Sequence, residues 1–174
     1  IASGTTAGAP SATGQAIAGV TARLIACSGL LQAGLRFQTG AGATSLAVAR
    51  ALAPRMTAAG ITGDFASGGI TGALVEMFRA GLFRRLWDVQ AFDGLAVRSY
   101  AVDAGHLPMS AETYASPARP DSIARQLDVM ILGAAEVDPD FNVNVTCASD
   151  GRIIGGSGGH ADTAAGAALP IVTT

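Results

Sequence analysis

The sequence predicts an α/β fold, a mostly parallel sheet with helices on both faces. Short apolar runs alternate with segments of helical periodicity along most of the 174 residues, and such alternation is typical of a parallel sheet covered on both sides. Two strand candidates lead directly into glycine-rich turns, as in βα units. The length suggests one domain with enough chain for a real core. We expect a flexible lead at residues 1–13 and the α/β domain at 14–174.

The first two helices follow from apolar spacing. In residues 14–31, Ile17, Val20 and Leu24 begin a series at alternating three- and four-residue steps, which predicts a helix with these side chains inward. Ser11 or Thr13 is its expected cap. A short strand at 35–38 precedes a second helix from residue 45. One side of this helix is apolar, and Pro54 is expected to end or kink it.

The remaining elements are predicted in the same way. We expect strands at 61–66, 86–90, 129–134, 143–148 and 169–174, and helices at 73–82, at 92–102 and just after residue 160. Residues 106–122, rich in Pro and Ser, are expected to be a loop. The chain starts at Ile1 rather than Met and stops in a strand-like run, so we expect it to be a piece of a longer polypeptide.

Composition excludes several classes of function. The net charge of −2 gives no electrostatic reason to expect a nucleic-acid or anionic-membrane partner, and no apolar run approaches the ~20 residues of a membrane span. All 11 basic residues are Arg, which excludes a Schiff-base or P-loop lysine in this chain. With 49% hydrophobic and 14% charged residues, the chain is expected to bury surface in an oligomer or against another domain.

The two cysteines favour a reduced, cytoplasmic setting. Cys27 and Cys147 lie far apart in no metal-ligand spacing, and we expect both thiols to be small core residues. No HxxxH or CxxC pattern occurs either, so no metal site is predicted.

Two glycine-rich segments are candidates for ligand binding. Residues 39–45 and 67–72 share the layout strand, glycine turn, helix start, where unpaired N–H groups and a positive dipole end suit a carboxylate, phosphate or oxyanion. The alternative is that these glycines only form tight βα turns. The candidate binding residues are Thr39, Gly40, Gly42, Ser67, Gly68 and Gly69.

A polar segment follows the strand at 129–134. Glu136 stands where open α/β sheets place their ligand crevice, and His160 follows Gly158 and Gly159 as a possible general acid or base. Glu136 and His160 are the catalytic candidates, and Asn142, Asn144, Gly158 and Gly159 are the substrate-binding ones. The alternative is that the Asp and Asn residues only make turns, and that the histidine is structural.

These segments together resemble a known family. The runs FQTGAGATSLAV (37–48), GGITG (68–72), QAFDG (90–94), ASP (115–117) and above all residues 127–163 are similar, in order and spacing, to the alpha subunit of citrate lyase, its citrate CoA-transferase component. The resemblance implies a fold of the sugar-phosphate isomerase/CoA-transferase type. It also implies that the chain is the second of two tandem domains, with the first domain missing.

The resemblance implies a reaction and its partners. The transferase exchanges acetate for citrate on the CoA-like thioester of an acyl carrier protein, or on acetyl-CoA, to give a citryl thioester and acetate. The beta and gamma (acyl carrier) subunits are the implied partners. Distant CoA-transferases use a Ser-Glu-Asn-Gly-like motif whose Glu aligns with Ser67, so the resemblance implies transfer through an anhydride rather than a glutamyl intermediate.

Two other functions remain open. The glycine segments would equally hold a phosphorylated metabolite in a non-catalytic ligand-binding or sugar-phosphate-binding domain of the same fold. A structural subunit without activity of its own is the third reading.

Overall fold

A parallel sheet forms the centre of the molecule. Within residues 8–174, which the computed structural model describes, the strands are β1 (Arg36–Thr39), β2 (Gly63–Ile70), β3 (Phe83–Ala91), β4 (His106–Pro108), β5 (Val129–Gly133), β6 (Glu136–Val137), β7 (Val143–Asn144) and β8 (Leu169–Thr173). Six of them pair in parallel in the order β4-β3-β2-β1-β5-β8, while β6 and β7 form a separate antiparallel pair.

The helices cover both faces of this sheet. They are α1 (Ala12–Cys27), α2 (Ala43–Ala58), α3 (Gly72–Arg79), α4 (Gly94–Val102), α5 (Ala111–Ala115), α6 (His160–Gly166) and a 3₁₀ turn (Ile123–Gln126). The larger core packs the four helices from α1 through α4 against one face of the sheet. Smaller cores pack the 3₁₀ turn, α5 and α6 against the other face. The predicted α/β class is therefore confirmed.

The strand order creates a crevice beside β1. From β1 the chain steps outward through β2 and β3 to β4, then returns to place β5 on the other side of β1. The connections thus leave in opposite directions at the β1–β5 boundary. In open parallel sheets, ligands bind at this reversal, outside the carboxyl ends of the strands.

Helix α1 packs with a different face from the one predicted. Val20 and Leu24 are 56% and 50% exposed, whereas Ala18, Ala22 and Ile25 are buried. The inward positions are mostly small because α1 lies against α2, and small side chains allow two helix backbones to approach closely. The helix starts at Ala12, two residues early, with the Ser11 hydroxyl accepting from the Gly14 N–H as its cap.

Helix α2 has the predicted inward face but a different end. Leu46, Leu52 and Met56 are buried. The helix does not end at Pro54, which lies on the exposed side, and continues to Ala58. Proline removes one backbone hydrogen bond, and the buried side of the helix continues past it to Met56.

Three further sequence predictions are wrong. The expected loop at 106–122 contains β4 and α5, since His106–Pro108 extends the sheet beside β3 and Ser110 caps Ala111–Ala115. The expected strand at 143–148 is only Val143–Asn144. The thiols are not core residues, because Cys27 is exposed and Cys147 partly so.

No helix within residues 8–174 is long and apolar enough to cross a membrane.

Candidate functional site

A large pocket opens at the crevice between β1 and β5. Its volume is about 540 Å³, and the carboxyl ends of β1, β2, β3 and β5 form its floor. The start of α2, the residues around α5 and the loop before α6 form its walls. The residues that line this main pocket are Gln38, Thr39, Gly40, Ala41, Gly69, Val89, Gln90, Phe92, Ala111, Tyr114, Leu132, Gly156, Ser157, Gly158, Gly159 and His160.

The first glycine segment is the predicted turn into a helix. The Gly40 N–H donates to the Ile131 carbonyl at 2.9 Å, which joins β1 to β5, and the Thr39 hydroxyl donates to the Ser45 carbonyl at 2.9 Å. Gly42 is the N-cap of α2 and provides no side-chain cap. The first amides of α2 thus keep N–H groups available to an anion at the edge of the pocket.

The second glycine segment differs from the predicted turn. Residues 67–70 continue β2, and the strand is irregular between Gly68 and Gly69 where it pairs with β3. Ser67 is fully buried, and its hydroxyl donates to the Gln38 side-chain carbonyl at 3.3 Å. The following helix, α3, has its first amide occupied, because the Gly72 N–H donates to the Asp93 carboxylate at 2.6 Å.

The glycines of this second segment accommodate the side chains that wall the pocket. Gly68 has φ +101°, and a Cβ there would lie 3.0 Å from the Gln38 side chain. A Cβ on Gly69 would lie 1.8 Å from the Phe92 ring. The missing Cβ atoms therefore leave room for Gln38 and Phe92, and Gly69 also lines the main pocket.

A buried hydrogen bond joins two pocket residues that the sequence did not indicate. The Gln38 amide donates to the Tyr114 hydroxyl at 2.7 Å, and burial raises the pKa of the Tyr114 phenol above its usual range. Gly159 lies against the Tyr114 ring, where a Cβ would approach within 2.5 Å. Gln38 could have been identified from the sequence, because a polar Gln inside a buried strand is unusual. Tyr114 could not, because it lies in the segment predicted as a loop.

His160 lies at the junction of two pockets. It is the first residue of α6 and lines both the main pocket and a neighbouring groove of about 480 Å³. Its Nδ1 contacts the Ser157 carbonyl, and a carbonyl only accepts. The proton of the neutral ring is therefore on Nδ1, and Nε2 is the nitrogen that can take up a proton.

Glu136 lies apart from this arrangement. It is exposed on β6, lines neither of these two pockets, and accepts hydrogen bonds from the Ser149 hydroxyl and the Asn144 amide. The bond from Ser149, followed by that from Asn144, lowers the pKa of the Glu136 carboxyl. At neutral pH it is an ionised acceptor rather than an acid.

The two asparagines line the neighbouring groove and also form turns. Asn142 donates from its side chain to Asp138 at 2.8 Å, and Asp138 in turn accepts from the Asp140 and Asn142 N–H groups. The Asn144 side-chain oxygen accepts from two backbone amides, and its NH₂ group donates to the Cys147 carbonyl and Glu136. The turn-making expected of Asx residues is present here, and both residues contribute to the groove as well.

The walls of the main pocket carry little charge. His160 and Tyr114 are its ionisable side chains, and within residues 8–174 neither Arg, Asp nor Glu lines it. Across the part of the chain that the structure describes, no three His, Cys, Asp or Glu residues come together as metal ligands. The pocket therefore offers side-chain amides, a phenol and one imidazole to a ligand, and the start of α2 adjoins it next to Ala41.

Comparison with known proteins identifies the family. The model of the family described as "Citrate lyase, alpha subunit (CitF)" matches residues 1–174. The citrate lyase alpha chain of Klebsiella pneumoniae is 46% identical over 157 residues, which cover 90% of this chain and 31% of the relative. The chain thus spans about a third of that relative's length.

Solved structures agree with this match. A structure described as the alpha subunit of citrate lyase in complex with citrate, from Streptococcus mutans, has a TM-score of 0.90 and 41% identity, covering 96% of this chain and 33% of its own. A mutant structure described as RipA has a TM-score of 0.68 at 20% identity and shows likeness of fold alone. The chain belongs to the citrate lyase alpha subunit family.

Proposed function

We propose that this chain is the CoA-transferase part of citrate lyase. It exchanges acetate for citrate on the thioester of an acyl carrier protein, or on acetyl-CoA, and gives a citryl thioester and acetate. The observation that carries the proposal is the likeness, at TM-score 0.90, to a citrate lyase alpha subunit described in complex with citrate. The CoA-like thioester is a substrate group here, and no metal takes part in the reaction we propose.

The main pocket offers one place for a carboxylate or a developing oxyanion. The uncapped start of α2 at Gly42 adjoins Gly40 and Ala41, which line the pocket. Backbone N–H groups at a helix start stabilise negative charge without rearranging during the reaction. A tricarboxylate also calls for cations, and no Arg of residues 8–174 lines the main pocket. We therefore expect a further part of a longer polypeptide to complete the site.

The chemistry fits an anhydride route. A citrate carboxylate attacks the acetyl thioester carbonyl, and the tetrahedral oxyanion collapses to a mixed anhydride and a thiolate. The thiolate then attacks the citryl carbonyl and releases acetate. Ser67 stands where distant CoA-transferases have a nucleophilic Glu, and here it is buried and bonded to Gln38. This supports direct transfer between the two acids.

The candidate residues have unequal support. His160 is proposed to act at Nε2 as the acid or base near the thiol, since it borders both pockets. Glu136 is proposed only as an ionised carboxylate near the site, because its hydrogen bonds hold it to Asn144 and Ser149. The proposed partners are the beta and gamma subunits, in a cytoplasmic oligomer.

The test uses acetyl-CoA and labelled citrate. We expect citryl-CoA and acetate from a chimera in which these residues replace the matched third of the Klebsiella pneumoniae relative, and no turnover from the 174-residue chain alone. The relative with that third deleted is the control. A folded chimera that neither binds citrate nor forms citryl-CoA would contradict the proposal, and so would transfer at a full rate by the isolated chain.

A further inference from the structure

The hairpin segment, residues 136–154, carries apolar side chains that the described residues leave exposed. Phe141 is 85% exposed and Ile153 75%, and Val137 and Val143, which pair across β6 and β7, are 37% and 40% exposed. Ile154 is 50% exposed, and its N–H donates to the Thr146 carbonyl of the same segment at 2.8 Å. Scattered apolar residues are common on surfaces, but a group in one short segment indicates an interaction site.

Phe141 combines two unfavourable features. Its φ is +62°, a region that costs about 1 kcal/mol or more for a bulky residue, and its ring projects into solvent. It is also the one non-glycine residue with positive φ among those the structure describes. Asn or Gly would occupy this turn position more favourably. Neither feature stabilises the hairpin, and this makes the phenyl ring the first candidate for a contact with another surface.

The groove beside the hairpin is open, and no Arg, Asp or Glu of the described residues lines it. Its volume is about 480 Å³, and Phe141 and Val143 of the hairpin, Ala164 of α6 and Val172 of β8 are among the residues that line it. Strand β8 is the sheet edge, but Pro170 removes one of its N–H donors. The groove therefore suits inserted apolar side chains better than an added strand.

Charge and chain length indicate what covers the groove. The hairpin segment has four carboxylates and one arginine, a net charge of −3, so a second copy of the same surface would meet like charge. The citrate lyase relatives are about three times longer than the matched residues. The groove also shares Ser157 and His160 with the main pocket, so that whatever fills it borders the candidate site.

We propose that the groove formed by the hairpin segment, α6 and β8 is the docking surface for another part of the same, longer polypeptide. The docking part presents apolar side chains with a basic rim. The proposal shares with the proposed function only the longer polypeptide, and it is tested without measuring transfer.

The test compares amide hydrogen exchange in the 174-residue chain and in the chimera with the Klebsiella pneumoniae relative. Exchange in residues 137–146 should slow by about tenfold or more in the chimera, because docking covers the hairpin. Phe141→Asn should return exchange in the chimera to within about threefold of the isolated chain. The same change should leave the midpoint of thermal unfolding of the isolated chain unchanged or raised, since Asn tolerates positive φ.

A valine of similar exposure provides the matched control. Val102 is 73% exposed on α4, near the opposite edge of the sheet, and Val102→Asp should not alter exchange in the hairpin. Equal exchange in the isolated chain and the chimera would overturn the proposal. So would a dimer of the isolated chain that Phe141→Asn abolishes, since the occupant would then be a second copy. A loss of stability in the isolated Phe141→Asn chain would make the ring a local structural residue and overturn it too.

Discussion

The two glycine-rich segments have nearly the same layout in sequence but different structures. Residues 39–45 leave the sheet at once and start α2 with an uncapped helix end. Residues 67–72 stay in β2 almost to their end, and the helix that follows has its first amide bonded to Asp93. The surroundings of the glycines thus differ: Gly42 has open space where a Cβ would lie, whereas Gly68 and Gly69 lie against the side chains of Gln38 and Phe92.

The comparison predicts different costs for adding a methyl group. Gly68→Ala should lower the free energy of unfolding by about 2–3 kcal/mol, because the residue has φ +101° and its new Cβ would press on the buried Gln38 side chain. Gly42 has φ −68° and no atom within 4 Å of a built Cβ, so Gly42→Ala should cost less than about 1 kcal/mol, chiefly through the weaker N-cap. Urea unfolding measures both. If Gly68→Ala and Gly42→Ala changed the free energy of unfolding equally, the proposed difference between the two glycine segments would be wrong.

The first turn of α3 should depend on Asp93 for its stability. The start of α2, by contrast, has no side-chain cap. Asp93 Oδ1 accepts from the Leu95 and Ala96 amides as the cap of α4, and Oδ2 accepts from Gly72. Asp93→Ala should cost about 2 kcal/mol, since it removes a cap and a charge-assisted hydrogen bond. Asp93→Asn should lose less, because Asn is also a good cap. If both variants have the same midpoint of urea unfolding as the wild type, the N–H groups at the start of α3 do not depend on Asp93 for their hydrogen bonds.

The sequence predicted the fold more fully than the site. Apolar spacing was enough for the parallel sheet and for the inward face of α2, because those positions face a single core. It was wrong for α1, where Ala18 and Ala22 pack inward and larger residues stay outside. Long-range contacts decided the site. No local sequence pattern predicts the bond between Gln38 and Tyr114, which lie 76 positions apart. The same holds for the packing of the Phe92 ring against Gly69.

The buried phenol of Tyr114, which lies in the wall of the main pocket, makes the stability of the protein depend on alkaline pH. Burial raises the pKa of Tyr114 in the folded state, so its contribution to stability is present below the unfolded value of about 10 and is lost as pH rises through the folded value. The free energy of unfolding should therefore fall more steeply above pH ~10 in the wild type than in Tyr114→Phe.

Neutral pH and a second tyrosine supply the controls. Tyr114→Phe should itself cost about 1 kcal/mol at pH ~7, because it leaves the Gln38 amide without its acceptor. Tyr100 is 47% exposed, and Tyr100→Phe should keep the wild-type slope. Identical alkaline slopes for wild type and Tyr114→Phe would show that Tyr114 has no raised pKa in the folded protein.

The smallest expected change in stability tests the first segment most directly as an anion site. Gly42→Asp supplies the side-chain cap that α2 lacks and should raise the free energy of unfolding by a few tenths of a kcal/mol. The same carboxylate would lie where we expect a citrate carboxylate, and like charge should weaken citrate binding by the chimera by about tenfold. Gly42→Asn caps the helix similarly without the charge, so the ratio of the two citrate affinities, measured by calorimetry, isolates the electrostatic effect. A ratio near one would mean that citrate makes no use of the α2 start. The two glycine segments would then both serve the fold alone, and the negative charge of citrate would have to be met by cations outside the lining of the main pocket.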